Sequence, residues 1–327
     1  MTDKIAVLGA GAWGTALAAS FASNGQIVTL WGRDAAQLTD MQNTRCNSKY
    51  LPSMTLPENL GYSSTLEGAV VGARIILLVI PAQQMTSVVE RLTSLSQDEV
   101  TLISCAKGIE QTSGNTMSQV LKSSAPNCDI ATLSGPSFAA DVVKGMPTAV
   151  TIAAEIMPKA MALCEKLSSA KLRCYASDDL IGVDYGGALK NVLAIAAGIV
   201  HGRELGASAL AAITARGFAE LQRMALALGA QPETLTGLSG LGDLILTCSS
   251  EKSRNFAYGA AIGRGDNVAN LKLAEGVATA AIAAKIAQQN DIDAPIVQTV
   301  SAILSGSLSV DQAIHMLLSR PVKREAE

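Results

Sequence analysis

The feature that most constrains this chain is Gly9-Ala10-Gly11-Ala12-Trp13-Gly14, which follows the apolar run Lys4-Ile5-Ala6-Val7-Leu8 and leads into an Ala-rich helical pattern from Gly14 to Asn24. In a strand, Gly-rich turn and helix of this kind, each glycine has a physical task. Gly9 makes the tight turn, Gly11 lets the backbone approach a pyrophosphate, and Gly14 lets helix and strand pack closely. The helix N-terminus behind them offers unpaired N–H groups and the positive end of the helix dipole to phosphate. The segment therefore reads as a dinucleotide-binding turn. The next strand, Gln26 to Trp31, should end beside the adenosine ribose, and it runs into Gly32-Arg33-Asp34. Arg33 suits the 2′-phosphate of NADP(H), whereas Asp34 stands near the spacing of a ribose-hydroxyl acceptor for NAD(H). A guanidinium is the more specific provision for a phosphate, so NADP is favoured and NAD stays open.

Further strands are expected at Arg74 to Ile80, Val100 to Cys105, Asp129 to Leu133 and Thr148 to Ala153, separated by helix-sized segments. Continuous apolar strands in that rhythm belong to a parallel sheet covered on both faces, so the fold class is α/β with a doubly wound, Rossmann-type N-terminal sheet. From about Leu180 the Val/Ile strands give way to long Ala/Leu patterns at helical period, as in Ala188 to Val200, Ala207 to Leu228 and Gly276 to Gln289. An all-α C-terminal domain follows. Its glycines, Gly202, Gly206, Gly229, Gly237, Gly240, Gly242, Gly263 and Gly265, are expected to punctuate helices. The division is residues 1–180 for dinucleotide binding and 181–327 for substrate binding and catalysis, which suits roughly 150 residues per domain.

Charge narrows the partners. With 25 Lys+Arg against 28 Asp+Glu, the net charge of −3 offers no field for nucleic acid or an anionic membrane, so an anionic ligand needs local cations. The longest apolar runs, residues 75–81 and 192–200, are shorter than the ~20 residues of a transmembrane segment. The N-terminus enters a strand without a charged-then-apolar leader, so a cytoplasmic chain is expected. Six cysteines without a C-x-x-C pair and two distant histidines make neither a disulfide framework nor a metal site.

Ligands of open parallel sheets bind outside the carboxyl ends of the strands. There lie Cys105-Ala106-Lys107-Gly108-Ile109-Glu110 and Ser134-Gly135-Pro136-Ser137-Phe138-Ala139. Lys107 can hold an anion or polarise a carbonyl, or is simply a solvated loop lysine. The second segment offers small residues whose backbone can approach a ligand, or is a plain turn. In the helical half, Lys190 has Gly186, Gly187, Leu193 and Ala194 as helical neighbours, an apolar face that belongs in packing. Desolvation there would lower its pKa toward that of a general base, unless the side chain snorkels to the surface. Asp243 and Thr247 are four apart on one helical face and can bond a lysine or a substrate hydroxyl, or Asp243 only caps. Ser253-Arg254-Asn255 sets a planar phosphate binder between two hydrogen-bonding side chains, or is an exposed turn. Glu275, after Leu273-Ala274, can accept from a cofactor ribose or cap a neighbour.

These residues carry a resemblance. The chain resembles the bacterial NAD(P)-dependent glycerol-3-phosphate dehydrogenases from end to end, through Gly9-Ala10-Gly11-Ala12-Trp13-Gly14-Thr15-Ala16-Leu17, Trp31-Gly32-Arg33, Cys105-Ala106-Lys107-Gly108-Ile109, Leu133 to Ala139, Leu189-Lys190-Asn191-Val192, Gly240 to Leu244 and Ser253-Arg254-Asn255. The resemblance implies a homodimeric cytoplasmic oxidoreductase. It would interconvert sn-glycerol 3-phosphate and dihydroxyacetone phosphate and supply the glycerol backbone of phospholipids. It implies Lys190 as proton acceptor, with Lys107, Gly135, Ser137, Asp243, Ser253, Arg254 and Asn255 on the phosphorylated substrate. It places Ala12, Trp13, Arg33, Lys107, Ala139, Arg254, Leu273 and Glu275 on the cofactor. Two rivals share the motifs in part: a 3-hydroxyacid dehydrogenase or ketopantoate reductase of similar architecture, and a non-catalytic dinucleotide sensor.

Overall fold

The computed structural model describes residues 3–95, 100–269, 271 and 274–321. Its strands are β1 (Lys4–Leu8), β2 (Val28–Trp31), β3 (Cys46–Asn47), β4 (Leu51–Thr55), β5 (Leu60–Ser63), β6 (Ala73–Leu78), β7 (Thr101–Ser104), β8 (Asp129–Ser134), β9 (Thr148–Ala154) and β10 (Leu172–Ser177). One sheet runs in the order β10-β9-β8-β7-β6-β1-β2-β5, and β3 pairs with β4 as a separate antiparallel ribbon. Residues along β1 alternate between its faces, as the pleat requires. Ile5 and Val7 join Leu17 and Phe21 of helix Ala12–Ser23 and Leu163 of helix Met157–Leu167. Ala6 and Leu8 join Leu66, Val89 and Leu121 of helices Leu66–Val70, Met85–Thr93 and Met117–Ser124. Each fully buried Leu or Phe contributes about 1.5–3 kcal/mol, so both covered faces hold the strands in place.

The sheet departs from the all-parallel expectation at one pair. β8 and β9 are antiparallel, while the other neighbours are parallel. Between them lies only the five-residue helix Ala139–Val143. That is too short to carry the chain back along the sheet, as a parallel crossover requires. The eleven-residue helix Met157–Leu167 does so, and β10 is parallel to β9. β10, β5 and the β3–β4 ribbon were not among the expected strands. The strand order reverses at β1, which lies between β2 and β6, and that reversal creates the ligand crevice of such sheets.

The chain divides by its contacts into two compact units, residues 1–187 with 229–243, and residues 188–228 with 244–327. The division expected from sequence, at 180/181, falls at the start of helix Leu180–Gly202, and the contacts instead part that helix after Gly187. Among the described residues this is the one helix long and apolar enough to cross a membrane, and 94% of its most apolar stretch is buried inside the protein. The apolar run at 192–200 is thus part of a 23-residue helix.

In the second unit this helix packs against helix Arg254–Arg264 through glycines on both sides. A Cβ on Gly259 would stand 2.8 Å from the Ile195 carbonyl carbon, and one on Gly202 would stand 2.9 Å from that of Ala260. A Cβ on Gly198 would run into the Phe256 carbonyl, and one on Gly263 would stand 3.0 Å from the Gly202 Cα. Gly263 therefore does not punctuate a helix as expected. It sits inside one and brings two backbones into contact. Elsewhere in this unit Glu220, on helix Ala207–Ala227, accepts from the Ile296 N–H at 2.8 Å and the Val297 N–H at 3.1 Å, capping helix Pro295–Leu304.

Candidate active site

The turn after β1 has the geometry its glycines demand. Gly9 has φ +130°, and a Cβ on it would run into the Val79 carbonyl that follows β6. Gly14 packs on the Gly9 carbonyl, so a side chain there would drive the helix off the turn. Gly11 precedes helix Ala12–Ser23 and faces open space, with nothing within 4 Å of where a Cβ would be. Ala12 and Trp13 form the first turn of that helix, whose N–H groups are unpaired by helix geometry. This open, N–H-lined turn fits a dinucleotide pyrophosphate. At the end of β2, Arg33 is exposed, whereas Asp34 accepts the Gln37 N–H at 3.0 Å and caps helix Ala35–Thr44. Both side chains are exposed, and Asp34 is engaged through Oδ1 as the cap.

Also in the first unit, the Lys107 ammonium donates to Asp243 Oδ2 at 2.7 Å and to the Gly135 carbonyl at 3.0 Å. Asp243 is buried and the Lys107 side chain is mostly covered, so Lys107 is not the solvated loop lysine that sequence left open. Gly135 has φ +145°, and its Cβ would stand 2.9 Å from the Val150 Cα. Ser137 Oγ donates to the same Gly135 carbonyl at 3.2 Å, and Ala139 opens the helix behind it. Gly187 completes the enclosure, since a Cβ would lie 3.0 Å from Ser134 Oγ and 3.4 Å from Lys107 Cγ. The five-residue turn Leu238–Gly242 before Asp243 is π-helical, a form frequent at functional sites.

In the second unit Lys190 is 6% exposed, and its ammonium donates to Thr247 Oγ1 at 2.6 Å. It does not snorkel. Asp243 and Thr247 lie at opposite ends of one helix, Asp243–Thr247, the first bonded to Lys107 and the second to Lys190. The next residue, Asn191, accepts from Asn255 Nδ2 at 2.8 Å, and Asn255 Oδ1 accepts the Gly276 N–H at 2.9 Å. Asn255 is thus a buried tie between helices as well as a neighbour of Arg254. Ser253 Oγ accepts the Phe256 N–H and caps helix Arg254–Arg264, whose first residue, Arg254, is exposed. Glu275 begins helix Glu275–Gln289. Leu273 lies outside the described residues.

Comparison with known proteins decides the family. Residues 4–160 match the N-terminal model, and residues 179–315 the C-terminal model, of NAD-dependent glycerol-3-phosphate dehydrogenase. The chain is 52% identical over 321 residues to the glycerol-3-phosphate dehydrogenase [NAD(P)+] of Chelativorans sp. (strain BNC1), spanning 98% of each chain. It belongs to the glycerol-3-phosphate dehydrogenase family. The crystal structure of glycerol-3-phosphate dehydrogenase from Coxiella burnetii superposes with a TM-score of 0.93 at 36% identity, covering 98% of this chain and 99% of that one. A ketopantoate reductase from Ralstonia eutropha JMP134 reaches a TM-score of 0.60 at 16% identity, covering 92% of this chain and 97% of that one, and shares the fold alone.

For a glycerol-3-phosphate dehydrogenase chain, the residues that motif reading missed are the supports. Asp184 is buried and accepts the Ser118 N–H at 2.8 Å and the Thr132 hydroxyl at 3.0 Å. Burial holds its carboxyl above the usual range against those bonds. Asn191 stood inside a quoted motif without a role. Gln83, in the short helical turn Ala82–Gln84 after β6, donates to the Ile109 carbonyl at 2.8 Å and accepts the Gln111 N–H at 3.0 Å, clamping the loop that follows Lys107.

Proposed function

We propose that this chain interconverts sn-glycerol 3-phosphate and dihydroxyacetone phosphate with NADP(H), NAD(H) serving as the second choice. The observation that carries the proposal is the buried lysine, Lys190, held by Thr247 at 2.6 Å in a chain of this family. Bound nicotinamide supplies the hydride acceptor or donor. In oxidation Lys190, as the free amine, takes the C2 hydroxyl proton while the C2 hydrogen leaves as hydride; in reduction it returns that proton. Thr247 orients the Lys190 nitrogen. Lys107, fixed by Asp243 and the Gly135 carbonyl, holds the substrate with Gly135 and Ser137, and Ser253, Arg254 and Asn255 take its phosphate. Gly9, Gly11, Ala12, Trp13 and Gly14 receive the pyrophosphate, and Arg33 the 2′-phosphate. The exposed Arg33 guanidinium, a planar two-point phosphate binder, supports the preference for NADP, and Asp34 caps the following helix through Oδ1. Ala139, Arg254 and Glu275 complete the cofactor contacts.

Residues 1–180 on this reading bind the dinucleotide, and residues 181–327 the substrate. The enzyme works as a cytoplasmic homodimer, and its glycerol 3-phosphate enters phospholipid synthesis. Replacement of Lys190 tests the proposal. A positioned general base supplies about 10²–10⁴-fold, so Lys190→Ala should lose at least that in kcat while binding NADPH as the native protein does. A variant with near-native kcat in steady-state assays would remove Lys190 from the reaction.

A further inference from the structure

Behind the Gly-rich turn lies a buried amide network that no motif announced. Asn47, on β3, has no exposed surface. Its Nδ2 donates to the Ala10 carbonyl at 3.1 Å and to Thr15 Oγ1 at 2.8 Å. Gln37, on the helix that Asp34 caps, donates through Nε2 to the same Ala10 carbonyl at 2.8 Å and meets Asn47 Oδ1 at 3.3 Å. Two side chains from outside the turn thus converge on one of its carbonyl oxygens.

The planar trans peptide makes this consequential. The Ala10 carbonyl and the Gly11 N–H belong to one peptide unit and point in opposite directions, so anchoring the oxygen inward aims the N–H outward. A Cβ on Gly11 would meet nothing within 4 Å, so the backbone there is uncrowded and open to a ligand. We infer that Asn47 and Gln37 are positioning residues for the cofactor pyrophosphate, holding the Gly11 N–H toward its oxygens. This rests on the dinucleotide reading of the turn given above. It also gives the β3–β4 ribbon a task, since the ribbon delivers Asn47 behind the turn.

The pyrophosphate is common to NADH and NADPH, which separates this role from that of Arg33. In fluorescence titrations of the full chain, Asn47→Leu should raise the Kd of both cofactors by the same factor, about three- to tenfold, and Gln37→Leu should raise both by about threefold. The KM for dihydroxyacetone phosphate, and kcat at saturating cofactor, should stay as in wild type. A lowered melting temperature with both Kd values unchanged would overturn the inference and leave a purely structural network. A loss confined to NADPH would also overturn it, by moving the effect to the 2′-phosphate. Should Asn47→Leu fail to fold, the half-exposed Gln37 decides by the same measurements. A wild-type chain that binds neither cofactor would instead refute the underlying dinucleotide reading.

Discussion

Gly259→Ala sets two physical effects against each other. On an open helix this change stabilises by about 0.5–1 kcal/mol, because alanine restricts the unfolded chain. At Gly259 the new methyl group would stand 2.8 Å from the Ile195 carbonyl carbon and 2.9 Å from its Cα, atoms of a helix backbone that cannot rotate away. Overpacking of that kind costs about 1–3 kcal/mol. The net expectation is a loss of about 1–2 kcal/mol, which for a chain of this size lowers Tm by a few degrees. The functional effect should exceed the thermal one. Asn255 lies one turn before Gly259 and bonds Asn191, the neighbour of Lys190, at 2.8 Å, so parting the helices breaks the tie between Arg254 and the lysine's helix. Steady-state kinetics should show a several-fold rise in KM for dihydroxyacetone phosphate that exceeds the rise in KM for NADPH, to which Arg254 adds one contact among many. A Tm that rises, together with an unaltered substrate KM, would refute the close-packed reading of these helices.

Arg33→Ala should weaken NADPH at least tenfold while leaving NADH nearly untouched, since a charge-assisted hydrogen bond is worth about 1.5–3 kcal/mol and only NADPH carries the 2′-phosphate. Equal losses in fluorescence titrations would contradict it. Burial pushes the Glu220 carboxyl up to about 7 from 4.5. The folded state thus holds this proton more tightly than the unfolded one. That contribution to stability is complete below pH 4.5 and is lost as pH rises through about 7, amounting to about 3 kcal/mol. Urea unfolding from pH 5 to 8 should show it as a decline in wild type that Glu220→Gln lacks, and parallel curves would exclude it.

Much of the first unit was legible because its signals are local. A Gly-rich turn between an apolar strand and a helix leaves few alternatives, and six expected strands stand where the apolar runs placed them. The antiparallel β9 was not legible, because its apolar run is the same in either direction and only the length of the preceding helix decides. β10 alternates buried Leu172 and Cys174 with exposed Arg173 and Tyr175, an edge-strand pattern weaker than a continuous run. Lys190 was visible as a charge on an apolar face, but its partner was not, since the Thr247 bond spans 57 residues. Gly198 and Gly202, like Gly259 and Gly263, are four apart, which puts each pair on one helical face. That spacing signals close helix packing, whereas Gly202 and Gly263 were expected to punctuate helices. Asn47 and Gln37 gave no local sign, because their role exists only once the ribbon folds behind the turn.

The central claim is the identity of the substrate, and the native protein answers it directly. NADPH oxidation should be followed with dihydroxyacetone phosphate, ketopantoate and an acetoacetyl substrate in parallel, at one cofactor concentration. A phosphate-binding arginine and a buried lysine base call for turnover with dihydroxyacetone phosphate and at most traces with the carboxylate and thioester substrates. Faster oxidation with ketopantoate or the acetoacetyl substrate, or no oxidation with any of the three while NADPH still binds, would contradict the account.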